Sequence, residues 1–393
     1  MKVTLYSNFM NHHHLPFCEA MYKRLGTGYT FVATTPTDKE RLNMGYADMN
    51  DRYPFILMAY GSESNAAKAM ELALESDVII TGSAPEIYTS ERIKLNKLTF
   101  RYSERIYKRG VWRAISPRGF YFITKKHTRY RNKNLYMLCA SAYTAGDLAM
   151  LGAYKNKTVK WGYFPEVKTH DINGLIGEKN QNTVEILWTG RFLDWKHPEK
   201  AIYVAKQLTC DGYDFKMKII GAGEQECNLR ALIDELNLND RVTVLGAMPP
   251  EKVREYMEHA NIFLFTSNYQ EGWGAVLNEA MNSGCAIVAS HAAGSVPFLL
   301  KHGETGLVYK YGRDEDLYAQ VRTLMDDTGL RKQLGHNAYC MLQNEWNAEV
   351  AAERFLGLCE GLLGGAKMDF KTGPGSVAVP VPEWKMYKSL MGK

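Results

Sequence analysis

The chain has 393 residues, of which 46% are apolar, 23% charged and 12% aromatic, with a formal net charge of +5. That length is too great for one ordinary domain and suits two, each with its own core, and no run of about 18 apolar residues is present to span a membrane. The start, MKVTLYSNFM, turns polar too soon for a secretory signal, and seven scattered cysteines without a C-x-x-C pair read as reduced thiols of a cytoplasmic protein.

In chain order, Lys2 to Asn8 is a short β-rich run, Pro16 to Leu25 a helix opened by proline, and Tyr29 to Thr35 a second strand. Strands at Ile56 to Tyr60, Asp77 to Ser83 and Lys97 to Ser103 continue this rhythm, with a helix around Ala66 to Leu74 and helical signal from Ser103 to Lys108. Leu135 to Ser141 leads into a helix from Tyr143 to Gly152, and the polar stretch from His170 to Asn182 reads as a linker. The second half repeats the pattern with strands at Val184 to Gly190, Phe215 to Gly223, Arg241 to Ala247 and Asn261 to Ser267, each followed by a helix. Helices at Arg313 to Met325, Leu330 to Asn344 and Ala348 to Leu363 close the chain before an aperiodic tail, expected to run over the surface. Alternating strands and helices predict parallel sheets, with ligands at the carboxyl ends of the strands. The expected domains are 1–168, 169–346, and a closing segment 347–393 that returns a helix to the first domain.

Charge is uneven. Between Glu91 and Lys133 stand 14 Lys and Arg against two acids, interleaved with aromatics such as Trp112, Phe120, Tyr121 and Phe122. That pattern suits an anionic membrane surface or a phosphate-bearing acceptor, although a solvated basic face has the same composition. No nucleic-acid module is recognisable, so nucleic acid is not an expected partner.

The richest stretch is EGWGAVLNEAMNSG, Glu271 to Gly284. Glu271 lies in a loop with Gly272, Trp273 and Gly274, and Glu279 on the helix that follows. Two carboxylates at that spacing suit a long polyhydroxylated ligand, and glycines let backbone approach phosphate. A buried strand, turn and amphipathic helix with two solvated glutamates would carry the same letters. In TGRFLDWKHPEK, after Gly190, Arg191 and Lys196 form a cation pair before a helix, suited to a diphosphate. Gly221 and Gly223 are the first two glycines of a dinucleotide fingerprint without its third, and more simply a tight turn. Gly246, Ala247 and Met248 offer backbone to a nucleobase. His12, His13 and His14 follow the first strand, open to a substrate-binding, structural or metal role. No zinc spacing, nucleophile elbow or P-loop is found, so neither metal nor cofactor is expected.

Together TGRFLDWKHPEKAI, KIIGAG, VTVLGAM and SNYQEGWGAVLNEAMNSGCAIVASHAAGSVPFL resemble the C-terminal domain of retaining glycosyltransferases of family 4, over about Val184 to Leu363. The resemblance implies a GT-B fold, two Rossmann-like domains facing each other across a crevice, and a metal-independent transferase. Its substrates would be a nucleotide-sugar donor, with UDP or GDP as carrier, and a saccharide or lipid-linked acceptor. In that reading Glu271 contacts the donor sugar, Glu279 the ribose, and Arg191 and Lys196 the departing diphosphate. Two departures stand out: NFMNHHHLP replaces the family's usual glycine pair, and KLTFRYSER replaces a strand-end histidine. His12, His13, His14, Ser83, Ser103 and Glu104 are therefore the candidates for the acceptor or sugar wall. The expected setting is surface polysaccharide synthesis by a cytoplasmic protein touching the inner membrane face. An epimerase on the same fold and a non-catalytic nucleotide-sugar binder are the alternatives.

Overall fold

The computed structural model describes residues 1–38, 47–110, 116–180, 182–365 and 370–392, so Trp112 of the basic stretch and residue 181 of the polar linker lie outside the described residues. The chain divides into two compact units, Met1–Glu166 with Glu345–Pro382, and Val167–Asn344 with Glu383–Lys393.

In the first unit the strands are β1 (Val3–Ser7), β2 (Tyr29–Ala33), β3 (Ile56–Met58), β4 (Val78–Thr81), β5 (Thr99–Ser103), β6 (Leu135–Cys139) and β7 (Thr158–Lys160). They pair in parallel in the order β3-β2-β1-β4-β5-β6-β7. Every residue of β1 and β4 is buried, as a sheet covered on both faces requires. The connecting helices are α1 (Leu15–Leu25), α2 (Glu63–Glu75), α3 (Ile87–Lys94), α4 (Pro117–Lys126) and α5 (Thr144–Ala149). Local chemistry sets their ends. Ser62 accepts from the Asn65 amide at the start of α2, and Ser116 caps α4 ahead of Pro117. Buried Arg92 of α3 donates to the carbonyls of Ala73, Ser76, Asp77 and Leu98, which satisfies the open end of α2.

The second unit begins with α6 (Ile172–Glu178) and contains β8 (Val184–Thr189), α7 (Glu199–Cys210), β9 (Phe215–Ile220), α8 (Glu226–Glu235), β10 (Val242–Gly246), α9 (Pro250–His259) and β11 (Ile262–Phe265). It continues through α10 (Val276–Asn282), β12 (Ala286–Ser290), α11 (Val296–Leu299), β13 (Leu307–Tyr309), α12 (Asp314–Asp326) and α13 (Thr328–Asn344). The parallel order is β10-β9-β8-β11-β12-β13, so the chain reverses direction across the sheet between β8 and β11. Loops leaving these two neighbouring strands part at that point and leave room for a ligand. Both units are therefore doubly wound α/β folds.

The remaining helices are α14 (Ala348–Leu363), in the first unit, and α15 (Glu383–Leu390), in the second. Asn347 caps α14, and Phe355 packs its ring on Trp161, Phe17 and Phe100 with centroids 5.8, 6.3 and 5.1 Å apart. Burying an aromatic of this size contributes about 1.5–3 kcal/mol.

Three expectations need correction. Ser103 to Lys108 is not helical, because the amides of Ile106 and Tyr107 and the Arg105 guanidinium all bond the Asp147 carboxylate, an outlet that competes with a helical ladder. The polar stretch after His170 holds α6, capped by Asp171 and presenting only Ile176 to the core, too little for visible periodicity. Beside it, buried Lys179 donates to the carbonyls of Met257, Ala260 and Ser283. The tail does not simply cross the surface. Ser376 and Ala378 are buried and exchange backbone bonds with Lys160 and Thr158, covering the open edge of β7 antiparallel at Val159 and Val377.

Candidate functional site

The β8–α7 loop and the β11–α10 loop meet in the second unit. A single turn of 3₁₀ helix, Asp194–Lys196, ends at His197 in the left-handed region with φ 52°. Thr266, just past β11, accepts from Trp188 Nε1 at 2.8 Å and donates to the Lys196 carbonyl at 2.7 Å, and the Asn268 amide bonds the Trp195 carbonyl at 2.9 Å. These bonds bring the Lys196 ammonium to Glu271, with Nζ donating to Oε2 at 2.5 Å, and Ser267 Oγ donates to the same oxygen at 3.1 Å. Both charged side chains are nearly buried, at 12% and 10% exposure, and the Glu271 carbonyl is fixed by the Gly294 amide at 3.0 Å. Among the described residues both bonds fall on Oε2, which leaves Oε1 to accept from another hydroxyl. Arg191 stands exposed, and among the described residues its guanidinium makes neither a hydrogen bond nor an ion pair.

The carboxyl ends of β8, β9 and β10 are stitched by glycines. The Gly190 amide bonds the Ile220 carbonyl at 3.0 Å, and the Gly221 amide bonds that of Gly246 at 2.9 Å. Gly221 has φ +149°, and a Cβ there would lie 1.8 Å from the Gly190 carbonyl oxygen. Gly246, with φ +77°, has open space around it; Ala247 beyond it is exposed and Met248 half-buried. Gly274 has φ +80° and backs onto the Phe265 ring, whose Cζ would lie 2.4 Å from a Cβ. Gly272 is buried, and the Trp273 indole is wholly in the core, donating to Asn278 at 2.9 Å, so from this residue only backbone is left to face a ligand.

Glu279 sits on α10, half-buried. Burial lifts its carboxyl from the ordinary 4.5 to about 7, a rise that the Arg254 guanidinium opposes. A folded-state value above the unfolded one means that its contribution to stability is full below about 4.5 and is lost as pH rises through about 7. Glu279→Gln is expected to flatten that segment of a plot of Tm against pH; an unchanged slope would assign the titration to another group.

In the first unit His14 closes the start of α1, its Nδ1 3.2 Å from Asn11 Nδ2, with its ring near Phe31, Tyr102 and Tyr163. His12 and His13 have ring centroids 3.8 Å apart, and His13 lies 5.8 Å from Tyr163. Glu104 joins this group by accepting from the Tyr163 hydroxyl at 2.9 Å and pairing with Lys108. Ser103 donates to the Glu104 carbonyl, whereas Ser83 is exposed beyond β4. Sequence reasoning overlooked Ser267, Tyr163 and His197. Ser267 carried a usable signal, a small hydroxyl straight after a strand and four residues before the loop carboxylate. His197, bonded to Glu199 at 2.8 Å and Tyr311 at 3.1 Å, carried none. Among the described residues no group of three or more His, Cys, Asp or Glu is placed to hold a metal ion, and no helix is long and apolar enough to cross a membrane.

Among solved structures, the chain is similar to Anabaena Alr3699/HepE in complex with UDP, with a TM-score of 0.66 and 17% identity over 93% of this chain and 100% of that one. The fold is α/β of the GT-B type, with two Rossmann-like units. Residues 171–341, all within the second unit, match the family model described as "Glycosyl transferases group 1". Among curated proteins, the alpha-D-kanosaminyltransferase of Streptomyces kanamyceticus is 30% identical over 173 residues, 44% of each chain. The amylovoran biosynthesis glycosyltransferase AmsK of Erwinia amylovora is 26% identical over 245 residues, 61% of this chain and 59% of that one. The chain thus spans about half the length of these relatives.

Proposed function

We propose that the protein transfers a sugar, with retention, from a nucleoside diphosphate donor to a hydroxyl of a saccharide or glycolipid acceptor, in building a surface polysaccharide. The observation that carries this reading is the Lys196–Glu271 pair, held between two strand-end loops beside the exposed Arg191. Glycosyl transfer builds positive charge on the sugar ring and negative charge on the departing diphosphate, and fixed cations aimed at the latter lower the barrier. In this reading Arg191 and Lys196 take the diphosphate and Glu271 Oε1 accepts from a sugar hydroxyl. Glu279 accepts from the ribose, and the backbone at Gly190, Gly221, Gly246, Ala247, Met248 and Gly272 to Gly274 lines the donor. The acceptor hydroxyl attacks on the face the diphosphate leaves, its proton passing to the departing phosphate oxygen, so no side-chain nucleophile is called for.

His12, His13, His14, Ser83, Ser103 and Glu104 are proposed to border the sugar and acceptor. The work of AmsK in amylovoran biosynthesis and the UDP bound in the Anabaena structure support the donor class and the setting. A cytoplasmic protein resting on the anionic inner membrane face through residues 91–133 completes the reading.

A thermal-shift panel of UDP-, GDP- and ADP-sugars, followed by NMR of the product's anomeric centre, tests it. Inverted product, or donor epimers interconverting without acceptor, would replace it. Arg191→Ala is expected to lower kcat by about 10²-fold with donor affinity changed far less. Equal losses in affinity and turnover would make Arg191 a ground-state binding residue.

A further inference from the structure

On α4, Phe120, Tyr121 and Phe122 are exposed at 54%, 66% and 64%, and Ile123 is the one residue of that helix buried in the core. Successive helical residues are about 100° apart, so three consecutive exposed aromatics sweep about 200° of the surface. A helix anchored on a single narrow stripe and apolar over most of its outer face is unusual on a water-facing protein and marks an interaction surface. Its charge indicates the partner. The helix carries Arg118, Lys125 and Lys126 and no acid, within the stretch of 14 cations and two acids from Glu91 to Lys133. Lys125 lies over the Tyr121 ring, 5.7 Å from its centroid.

Beside the helix, beyond the carboxyl end of β5, is a groove of about 770 Å³ whose lining includes Ser103, Tyr107, Arg118, Tyr121, Phe122 and Lys126. Two cations and no carboxylate line it; Lys126 is steadied by Glu86 at 3.1 Å. Burial and the nearby Arg101 and Lys126 hold the His127 imidazole down to about 3, so it adds no charge to the groove near neutral pH.

We propose that α4 and this groove form the seat of the protein on an anionic phospholipid bilayer. The three aromatics enter the interface, Lys125 lies among the headgroups, and Arg118 and Lys126 take a headgroup phosphate. Aromatic bodies with neighbouring cations suit that boundary, where apolar burial and attraction to anionic lipid add. The proposal deepens the membrane part of the function proposed above and is tested without sugar transfer.

Full-length protein is sedimented with phosphatidylcholine vesicles, and with the same vesicles containing phosphatidylglycerol, at low and high salt. Expected is sedimentation with the anionic vesicles, reduced by salt. Phe120→Ser with Phe122→Ser, and separately Arg118→Gln with Lys125→Gln, are each expected to lower partitioning by about tenfold. Both should leave Tm and the nucleotide-induced thermal shift as in the parent. Equal binding to neutral and anionic vesicles, no binding, or variants that sediment like the parent would overturn the proposal. So would release by inorganic phosphate, which would make the groove a site for a soluble phosphate. A nucleotide shift without vesicle binding refutes this seat alone; vesicle binding with no response to any nucleotide refutes the donor reading alone.

Discussion

Lys196→Ala is expected to lower turnover on the order of 10²–10³-fold, the scale of losing one preorganised charge contact to a transition state. The substitution removes a cation proposed for the departing diphosphate and also strands the nearly buried Glu271 carboxylate, whose bond to Lys196 is 2.5 Å and whose other side-chain donor among the described residues is Ser267. An unpaired charge in such a place costs free energy until the loop moves to hydrate it. Two effects therefore combine, and a double-mutant cycle separates them. If the pair acts as a unit, Glu271→Ala adds little to Lys196→Ala, and the coupling is large. Lys196→Arg should keep the charge but not the geometry, because a planar fork cannot replace a compact ammonium between Trp195 and Glu271. Steady-state kcat beside nucleotide affinity is the measurement. Near-parental turnover in Lys196→Ala, or simple additivity, would remove the pair from the reaction.

Gly221→Ala is expected to be the most damaging single substitution in the second unit's strand-end scaffold, costing more than about 3 kcal/mol or preventing folding. Its φ of +149° strains any Cβ-bearing residue, and the new carbon would overlap the Gly190 carbonyl oxygen at 1.8 Å. Relief requires the ends of β8 and β9 to part where the Gly190–Ile220 bond holds them together, and it disturbs the Gly221–Gly246 bond that ties β9 to β10. Gly246→Ala is the matched control. It has positive φ but open surroundings, so the cost is backbone strain alone, about 1 kcal/mol. Thermal melts of the two variants should differ widely, and similar Tm values would mean that the crowding at Gly221 relaxes without loss.

Much of the scaffold was readable because its signals are local. Pro250 opens α9 and Asn347 caps α14, and both helices occupy the residues their periodicity predicts. Strand ends were readable from the glycines that follow apolar runs. What stayed hidden depends on partners distant in sequence. The residues after Ser103 look helical until Asp147, about 40 positions later, takes their amides. Arg191 and Lys196 looked like twin cations, yet Lys196 is engaged by a carboxylate 75 residues away and Arg191 stays exposed. Trp273, read as part of the donor wall, spends its indole on the core, a distinction of side-chain direction that no spacing encodes.

The second unit holds the whole matched segment, 171–341, as one uninterrupted run, yet each unit is completed by a piece from the end of the chain, the first by Glu345–Pro382 and the second by Glu383–Lys393. Exchange of the segment with the donor-site candidates as a cassette with two cut points would leave behind α15, whose Tyr387 donates to Asp316 at 3.1 Å and packs its ring on His291. Replacing the first unit requires two separate pieces of coding sequence to change together, since a new strand β7 must still find an edge-covering partner in the residues around Ser376. Each unit therefore depends on two separate pieces of coding sequence, and exchange of either as a whole must change both of its pieces together.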